Sequence, residues 1–222
     1  MNPSLTFTDI KNSEEVSTYI KQADASLNVL GYTEHSFAHA TKCAEKAGML
    51  LKGLGYSKHE IELAKIAAYM HDIGNVINRG DHAQSGAVMA FRILDKMGMK
   101  PEDTAAIITA IGNHDEKTAY PVNAIAAAVI LADKTDVRRS RVRRRDTILS
   151  DIHDRVNYAV EKTELTLNNE EKTLTVYFTI DTKISSVMDY FEIFLDRMLL
   201  CRKAADFFGL KFKINMNGSD LL

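Results

Sequence analysis

The chain has 222 residues, of which 45% are hydrophobic and 26% are charged, and its formal net charge at pH 7 is -2. This length suits one large domain or one domain with a small appendage. The small net charge argues against a general nucleic-acid-binding surface, and no apolar run reaches the ~18 to 20 residues that a membrane span needs. Cys43 and Cys201 have neither disulfide-framework nor metal-type spacing, so we expect a cytoplasmic protein without a membrane span.

The N-terminal part is predicted to be helical after a short lead-in. Residues 1–12 show no periodicity and are expected to be a tail or an extended segment. One helix begins at Ser13 and ends at Gly31. Thr33 is predicted to cap the next helix, which carries His35 in its first turn. The buried face of that helix is expected to consist of Phe37, Ala40, Ala44, Ala47 and Leu51.

The third helix ends in the stretch Tyr69-Met70-His71-Asp72-Ile73-Gly74. It begins after Ser57, and Glu60 completes a capping box. Because glycine favours the end of a helix, His71 and Asp72 are predicted to lie at its carboxyl end. They offer an imidazole nitrogen and a carboxylate oxygen from adjacent positions, which is a donor pair suited to a metal ion.

Three further helices are predicted downstream, beginning at Asp81, Pro101 and Pro121. Asp81 and Gln84 suggest a second capping box, which puts His82 in the first turn. His114 falls at the end of the Pro101 helix. Asp133 lies among alanine, valine, isoleucine and leucine residues, where a buried charge is costly without a partner. Each of these potential ligands therefore lies at or near a helix end.

The C-terminal part changes in character. Residues 138–145 contain six arginines, and a helix is predicted from Asp146 to Val160. Apolar and polar residues then alternate at 174–180, which with a turn at 168–169 predicts a β-hairpin. An amphipathic helix ended by Gly209 and a last short strand at about 212–216 follow.

The order of these residues resembles the HD superfamily of metal-dependent phosphohydrolases, whose signature is a lone His, a His-Asp doublet and a distant Asp. The resemblance covers about residues 30–145 and rests on His35, His71, Asp72, His82, His114 and Asp133. The arrangement of His-Asp-Ile-Gly, His82, His114 before Asp115 and Ala-Asp-Lys-Thr-Asp looks most like the HD-GYP branch, and Tyr120-Pro121 stands where that branch has its Tyr-Pro. Asn75 stands where that branch has a phosphate-contacting Lys, and Asn113-His114-Asp115 replaces its paired histidines and Glu, which argues against cyclic di-GMP as the substrate.

The resemblance implies a mainly α protein, an HD-domain helical bundle with a small C-terminal β-β-α-β appendage. The expected divisions are an N-terminal helix and lead-in at 1–30, the HD domain at 31–161 and the α+β appendage at 162–222. The implied activity is hydrolysis of a phosphate ester, a phosphodiester, phosphomonoester or nucleotide, by a metal-activated water. A non-catalytic regulator that binds a nucleotide or a metal in the same pocket is the alternative.

The implied metal ligands are His35, His71, Asp72 and Asp133 for one ion, with His82 and His114 for a second ion that Asp72 would bridge. Asp72, His71 and Asp133 are also the implied catalytic residues. The mixed nitrogen and oxygen donors suit one or two divalent ions and do not distinguish Fe, Mn, Zn, Ni or Mg. His39 lies four residues from His35 but is expected to be structural.

Cations near the predicted site provide candidate phosphate contacts. Arg79 and Lys134 could replace the missing lysine, and Arg138 and Arg141 could form an anion-binding rim. A solvated helix face is an equally weighted alternative for the arginine run. The expected partner is a small phosphorylated substrate such as a nucleotide, with neither nucleic acid nor membrane. A homodimer through the C-terminal appendage is the remaining expectation.

Overall fold

The computed structural model describes residues 5–144, 148 and 150–221 of the chain, and these divide into two compact units between Asp133 and Lys134. The first unit is helical. Its α-helices are α1 Phe7–Lys11, α2 Glu14–Val29, α3 Phe37–Gly53, α4 Lys58–Met70, α5 His82–Lys96, α6 Pro101–Gly112 and α7 Ala124–Lys134, with a 3-10 helix at Ile73–Val76. The sequence-based boundary at residue 161 stays a prediction.

Small residues allow the helices of the first unit to pack closely. Helix α3 packs on α4, and α5 packs on α6. Ala40, Ala44, Ala47 and Leu51 of α3 are buried as predicted, whereas Phe37 is 39% exposed because it lies at the first position of the helix. The side chains of His59 and His153 are exposed.

Residues 7–11 of the lead-in form a helix, which corrects the prediction of a tail or an extended segment for this part of the chain. Thr6 and Asp9 form a capping box that starts α1, so five residues suffice for a short helix. The ring of Phe7 packs edge-on against Tyr69 at 5.5 Å between centroids. The backbone N–H of Phe7 also donates to Glu62 at 2.8 Å. These contacts with α4 stabilise a helix that is too short to show periodicity.

Three predicted helix starts differ in detail from the structure. Ser36, not Thr33, caps α3, because its hydroxyl accepts from the backbone of Ala38. His35 therefore precedes the helix instead of lying in its first turn. Asp81 adopts a left-handed conformation with φ of 55° and makes no capping bond through its side chain. Helix α7 begins at Ala124, after Asn123 accepts a hydrogen bond from Ala126.

Gly74 lets the chain after the His-Asp doublet pass directly against α5. A Cβ atom on Gly74 would lie 2.0 Å from the carbonyl oxygen of His82 and 2.5 Å from the backbone nitrogen of Gly86. Real Cβ atoms do not approach backbone so closely. The glycine thus brings the end of α4, which carries His71 and Asp72, beside the start of α5, which carries His82.

The second unit contains a four-stranded sheet with the predicted β-β-α-β order. Its α-helices are α8 Ile152–Ala159 and α9 Val187–Phe207, its strands are β1 Val160–Asn168, β2 Thr173–Ile180, β3 Lys211–Met216 and β4 Ser219–Asp220, and a 3-10 helix lies at Arg139–Arg141. Strands β1 and β2 form the predicted antiparallel hairpin, and β3 is parallel to β2. The two-residue strand β4 was not predicted. The predicted start of a helix at Asp146 lies outside the described residues, and α8 begins at Ile152.

Candidate metal centre

Helix ends of the first unit converge on one cluster of histidines and carboxylates. The contributing residues are His39 in the first turn of α3, His71 and Asp72 at the end of α4, His82 at the start of α5, His114 just after α6 and Asp133 near the end of α7. The four histidines are at most 2% exposed. The two carboxylate side chains are 14% and 13% exposed, so the open side of the cluster is the carboxylate side.

Asp72 lies at the middle of this cluster, and its two oxygens face different histidines. Its Oδ2 atom is 3.1 Å from Nε2 of His71 and 3.6 Å from Nε2 of His39. Its Oδ1 atom is 3.5 Å from Nε2 of His82 and 3.8 Å from Nε2 of His114. The carboxylate therefore joins two groups of donors through separate oxygens.

Asp133 completes the first group. Its Oδ1 atom is 3.3 Å from Nε2 of His39 and 3.6 Å from Nε2 of His71. The Nε2 atoms of these two histidines are 3.3 Å apart. The first group therefore consists of three donors, which are Nε2 of His39, Nε2 of His71 and Oδ1 of Asp133. Oδ2 of Asp72 lies next to the two nitrogens.

His82 and His114 form the second group with Asp72. Their Nε2 atoms are 3.1 Å apart, and their rings meet edge-on at 5.0 Å between centroids. His71, Asp72 and His114 can also offer ligand atoms that all lie within 4.8 Å of one another. The geometry therefore brings His82 and His114 together with the doublet, as the sequence predicts.

The other ring nitrogen of three of these histidines contacts a backbone carbonyl. Nδ1 lies 2.7 Å from the oxygen of Ala68 in His71, 2.6 Å from that of Ile111 in His114 and 3.1 Å from that of Arg79 in His82. A carbonyl oxygen can only accept, so each Nδ1 carries the hydrogen. In the neutral rings, the Nε2 lone pairs are consequently directed at the cluster, which is how protein histidines are prepared as metal ligands.

These lone pairs explain why the donor set fits a cation. Because Nδ1 of His82 and His114 faces a carbonyl, their Nε2 atoms face each other at 3.1 Å, and a cation between them would favour this arrangement. Two carboxylates among four buried histidines add negative charge at the same point. Mixed imidazole and carboxylate donors suit a divalent metal ion and do not by themselves select one.

The electrostatics of the protein without a metal are dominated by the doublet. Burial disfavours the charged imidazole of His71, but the adjacent Asp72 and Asp133 carboxylates overcome this and raise its pKa to about 10. Burial also opposes ionisation of Asp72, yet His71 and the neighbouring histidines hold its pKa well below the usual range. Burial lowers the pKa of His82 to about 4, against the attraction of Asp72. His71 therefore carries the proton that a metal ion would replace.

Arg79 lies at the open edge of the cluster. Its Nη1 atom donates to the Asn75 side-chain oxygen at 3.2 Å and is 3.9 Å from Oδ1 of Asp72. The Asn75 amide in turn donates to the same Asp72 oxygen at 2.9 Å. The guanidinium group also faces the ring of Tyr32 at 5.5 Å. The residue is thus a cation next to the metal ligands with a 28% exposed side chain.

The structure brings His39, which the sequence analysis assigned to a structural role, into this centre. The Nδ1 atom of His35 contacts the Thr33 carbonyl at 2.7 Å, and its ring lies 5.6 Å from that of His39. The four-residue interval between the two histidines was the available signal, because such residues share a helix face. The metal-binding role of His35 stays a prediction.

The remaining predicted phosphate contacts lie in the second unit. Arg138 is paired with Asp136 at 3.1 Å. Arg141 is buried and donates to the backbone oxygen of Asp136 at 2.8 Å. Lys134 is also buried. These contacts give both arginines a structural role within the unit, and the roles of all three residues in substrate binding stay predictions.

Comparison with known proteins gives a family match over half of the chain. The HD domain model matches residues 34–144, which include every residue of the cluster. The match concerns the HD domain as a whole, and the resemblance to the HD-GYP branch stays a prediction. In the part of the chain that the structure describes, no helix has the length and apolar character needed to cross a membrane.

Individual relatives are more distant. The uncharacterized protein MJ1020 of Methanocaldococcus jannaschii is 26% identical over 163 residues, which are 64% of this chain and 62% of that protein. The chain thus spans less than two thirds of that relative. A crystal structure of a predicted HD superfamily hydrolase from an uncultured Thermotogales bacterium is 25% identical, with a TM-score of 0.45 over 56% of this chain and 67% of that one.

Proposed function

This chain belongs to the HD domain family, and we propose that it is a metal-dependent phosphohydrolase that cleaves a phosphate ester of a nucleotide or a similar small molecule. The observation that carries the proposal is the position of Asp72. One of its oxygens faces His71 and His39, and the other faces His82 and His114. A carboxylate in this position can bridge two ions, each with its own histidine ligands.

The proposed ligands are His39, His71, Asp72 and Asp133 for one ion, and Asp72, His82 and His114 for a second. When bound, a divalent ion supplies Lewis acidity at the phosphoryl group and lowers the pKa of water. The protein contributes fixed donors, because backbone carbonyls hold the Nδ1 hydrogens of His71, His82 and His114. His35, whose ring lies next to that of His39, is a further candidate ligand of the first ion, and a variant at this position tests it.

Arg79 is proposed to hold the substrate phosphate. Its guanidinium group lies at the exposed side of the cluster, where a substrate can reach the carboxylates. Asn75 supports it by accepting one hydrogen bond from Arg79 and donating another to Asp72. A planar guanidinium group can bind two phosphate oxygens at once. Lys134, Arg138 and Arg141 remain sequence-based candidates for further contacts.

The experiment that tests the proposal combines metal analysis with turnover. Protein purified without oxygen should contain a divalent metal and hydrolyse an aryl phosphodiester, an aryl phosphomonoester or a nucleotide. Asp72→Asn should lower metal affinity by at least about 100-fold and remove activity with it, because the two oxygens of Asp72 face the two groups of histidines. Asp95→Asn, at an exposed position of α5, removes the same charge and should change neither.

Two outcomes would contradict the proposal. Unchanged metal stoichiometry in Asp72→Asn would exclude its role as a ligand. A fully metal-loaded wild-type protein that hydrolyses none of the three substrate classes would favour the alternative, a regulator that uses the HD pocket for binding alone.

A further inference from the structure

Arg79 points its guanidinium group at the second group of metal donors. Its Nη1 atom is 3.4 Å from Nε2 of His82 and 3.9 Å from Oδ1 of Asp72. The Nδ1 atom of His82 faces the backbone carbonyl of Arg79 itself, so the lone pair of this ring lies on Nε2 and can accept a hydrogen bond from the guanidinium group. Arg79 is thus close to two of the atoms to which the second ion would bind.

The guanidinium group and an ion bound to these two atoms would be near neighbours. Nε2 of His82 and Oδ1 of Asp72 are 3.5 Å apart. An ion bonded to both at about 2.1 Å would lie within roughly 4.5 Å of Nη1 of Arg79, whichever side of the pair it took. Two positive charges at such a separation repel each other, and burial of His82 limits the screening of this repulsion by water.

The donors assigned to the two ions differ in charge. The first group has the carboxylate of Asp133 in addition to that of Asp72. The second group shares Asp72 and adds the imidazoles of His82 and His114, which are neutral when they bind a metal. An ion at the second group therefore has less negative charge to balance it, and the positive charge of Arg79 disfavours it further.

We propose that Arg79 makes binding of the second ion depend on the substrate, an inference that rests on the proposed two-ion centre and on Arg79 as its phosphate contact. Without a phosphate group, the guanidinium group weakens binding of the second ion by repulsion. A phosphate group that contacts both Arg79 and the ion places negative charge between the two cations. Substrate and second ion then bind cooperatively, and each raises the affinity for the other by the same factor.

The surroundings of Arg79 allow its guanidinium group to move away from the donors. The side chain is 28% exposed. The ring of Tyr32, a residue that is 45% exposed, lies 5.5 Å from the guanidinium carbon. Because the face of an aromatic ring attracts a guanidinium group, Arg79 can keep this contact when an ion replaces it beside His82.

The test measures manganese binding and does not require turnover. Free Mn²⁺ has a sharp electron paramagnetic resonance signal that broadens on binding, so titration of the full-length protein gives the affinity for each ion. Arg79→Gln should bind the second ion at least about 10-fold more tightly than the wild type, because a nearby positive charge is removed. The affinity for the first ion should change much less, which also shows that the variant is folded.

Two further variants separate the charge of Arg79 from its shape and from general electrostatics. Arg79→Lys keeps the charge, so its affinity for the second ion should stay near that of the wild type. Arg92→Gln, at an exposed position of α5, removes the same charge away from the donors and should also behave as the wild type.

Inorganic phosphate is the probe for cooperative binding. Saturating phosphate should raise the affinity of the wild type for the second ion at least about 10-fold, and that of Arg79→Gln by about 3-fold or less. The smaller effect in the variant is the direct contact between phosphate and the ion, which needs no guanidinium group. The difference between the two proteins therefore measures the part that Arg79 contributes.

Two results would overturn the proposal while leaving the phosphohydrolase function intact. The first is equal affinity of the wild type and Arg79→Gln for the second ion, or an equal effect of phosphate on both proteins. The second is a single manganese ion per chain in both proteins with phosphate present, together with hydrolysis of a phosphate ester. Cooperative binding of phosphate and manganese by a wild type that hydrolyses no phosphate ester would instead support the role of Arg79 and reject the enzymatic function.

Discussion

The two units of the molecule bury different kinds of side chain. The sheet-containing unit buries aromatic rings, with Tyr190 at 4.9 Å from Phe178 and 5.2 Å from Phe194 between centroids. The helical unit instead buries His39, His71, His82 and His114 where its helices meet, as well as an apolar core. Aromatic burial stabilises a fold directly, whereas polar burial costs free energy unless each group has a partner.

The buried charges of the second unit clarify this contrast. Arg141 and Asp136 are both buried, and they are partners within the same short segment. The polar groups of the first unit instead come from five helix ends and face one point. A buried pair that is locally satisfied needs nothing else, but donors that converge from distant parts of the chain indicate a bound cation. The candidate site is therefore distinguished by buried polar groups that come from several helices, and not by the number of buried polar groups.

The largest effect is expected from a substitution at Gly74, where the end of α4 lies against the start of α5. Gly74→Ala should lower the free energy of unfolding by about 3 kcal/mol or more, because the new Cβ atom would meet backbone atoms of His82 and Gly86 that cannot rotate away. The loss should appear in chemical denaturation of the metal-free protein, so it does not depend on ligand binding.

Gly112→Ala is the matched control for this prediction. A Cβ atom there would meet only the Cβ of Ala87 at 3.7 Å, an ordinary contact. Since alanine favours helix more than glycine does, this variant should be unchanged or more stable by up to about 1 kcal/mol. Equal stability of the two variants would contradict the role given to the approach of α4 and α5.

The two groups of donors can be separated by removing histidines from one of them. His82→Ala and His114→Ala should each lower the metal stoichiometry by about one ion, if Asp72 bridges two ions. His39→Ala should disturb the other ion, because its Nε2 atom faces Asp133. Metal content is measured per polypeptide after equilibration with excess ion and removal of the unbound fraction.

The outcome also tests the number of ions. Full metal content and full activity in both His82→Ala and His114→Ala would make these histidines structural and favour a single-ion centre. Parallel measurement of His35→Ala decides whether the residue predicted from the sequence is a ligand or a neighbour of His39.

Much of this centre could be predicted because its residues lie at helix ends that the sequence marks with recognisable residues. Gly74 marks the end of the helix that carries His71 and Asp72, and the charge of Asp133 stands out in an apolar run. The choice between His35 and His39 could not be made in the same way. Residues four apart share a face only if both lie on the helix, and whether His35 does depends on which hydroxyl caps α3. In the structure the Ser36 hydroxyl accepts the capping hydrogen bond from Ala38, and the sequence alone does not distinguish this cap from Thr33.

Two short elements were not predicted from the sequence, for a related reason. Helix α1 has five residues and β4 has two, so neither is long enough to show a period. Tertiary contacts such as that of Phe7 with Tyr69 stabilise α1. The hairpin and α9 were predicted because their alternation and amphipathic spacing extend over many residues.

The proton on His71 gives the helical unit a characteristic pH dependence. With its pKa raised from 6.5 to about 10 in the folded protein, His71 stabilises the metal-free form fully below pH 6.5. This contribution is lost as the pH rises from 6.5 towards 10. The melting temperature in the presence of a chelator should therefore fall over this interval, and the fall should be smaller in His71→Gln.

Metal binding should show the opposite dependence. The ion replaces the proton of His71, so affinity should rise over the same interval and binding should release about one proton or more at neutral pH. Calorimetry in buffers of different ionisation enthalpy measures this number directly. An equal pH dependence of stability in the wild type and His71→Gln would show that His71 is not the group responsible.

The smallest effect is expected from the arginines of the second unit. Arg141→Gln should lower the free energy of unfolding by about 1 to 3 kcal/mol, because it removes a buried donor to the Asp136 carbonyl and a nearby positive charge. Arg202→Gln, at an exposed position of α9, is the control and should have little effect.

Kinetics then decide whether these arginines also serve the substrate. If Arg138 and Arg141 hold a phosphate group, as their position in the sequence predicts, replacing both with Gln should raise the Michaelis constant for anionic substrates and leave metal content unchanged. If their contacts with Asp136 are their whole role, the double variant should lose stability with unaltered steady-state kinetics at a temperature where it remains folded. An unchanged Michaelis constant would leave Arg79 as the proposed phosphate contact. It would also mean that Arg138 and Arg141 serve only to pair with Asp136 within the second unit.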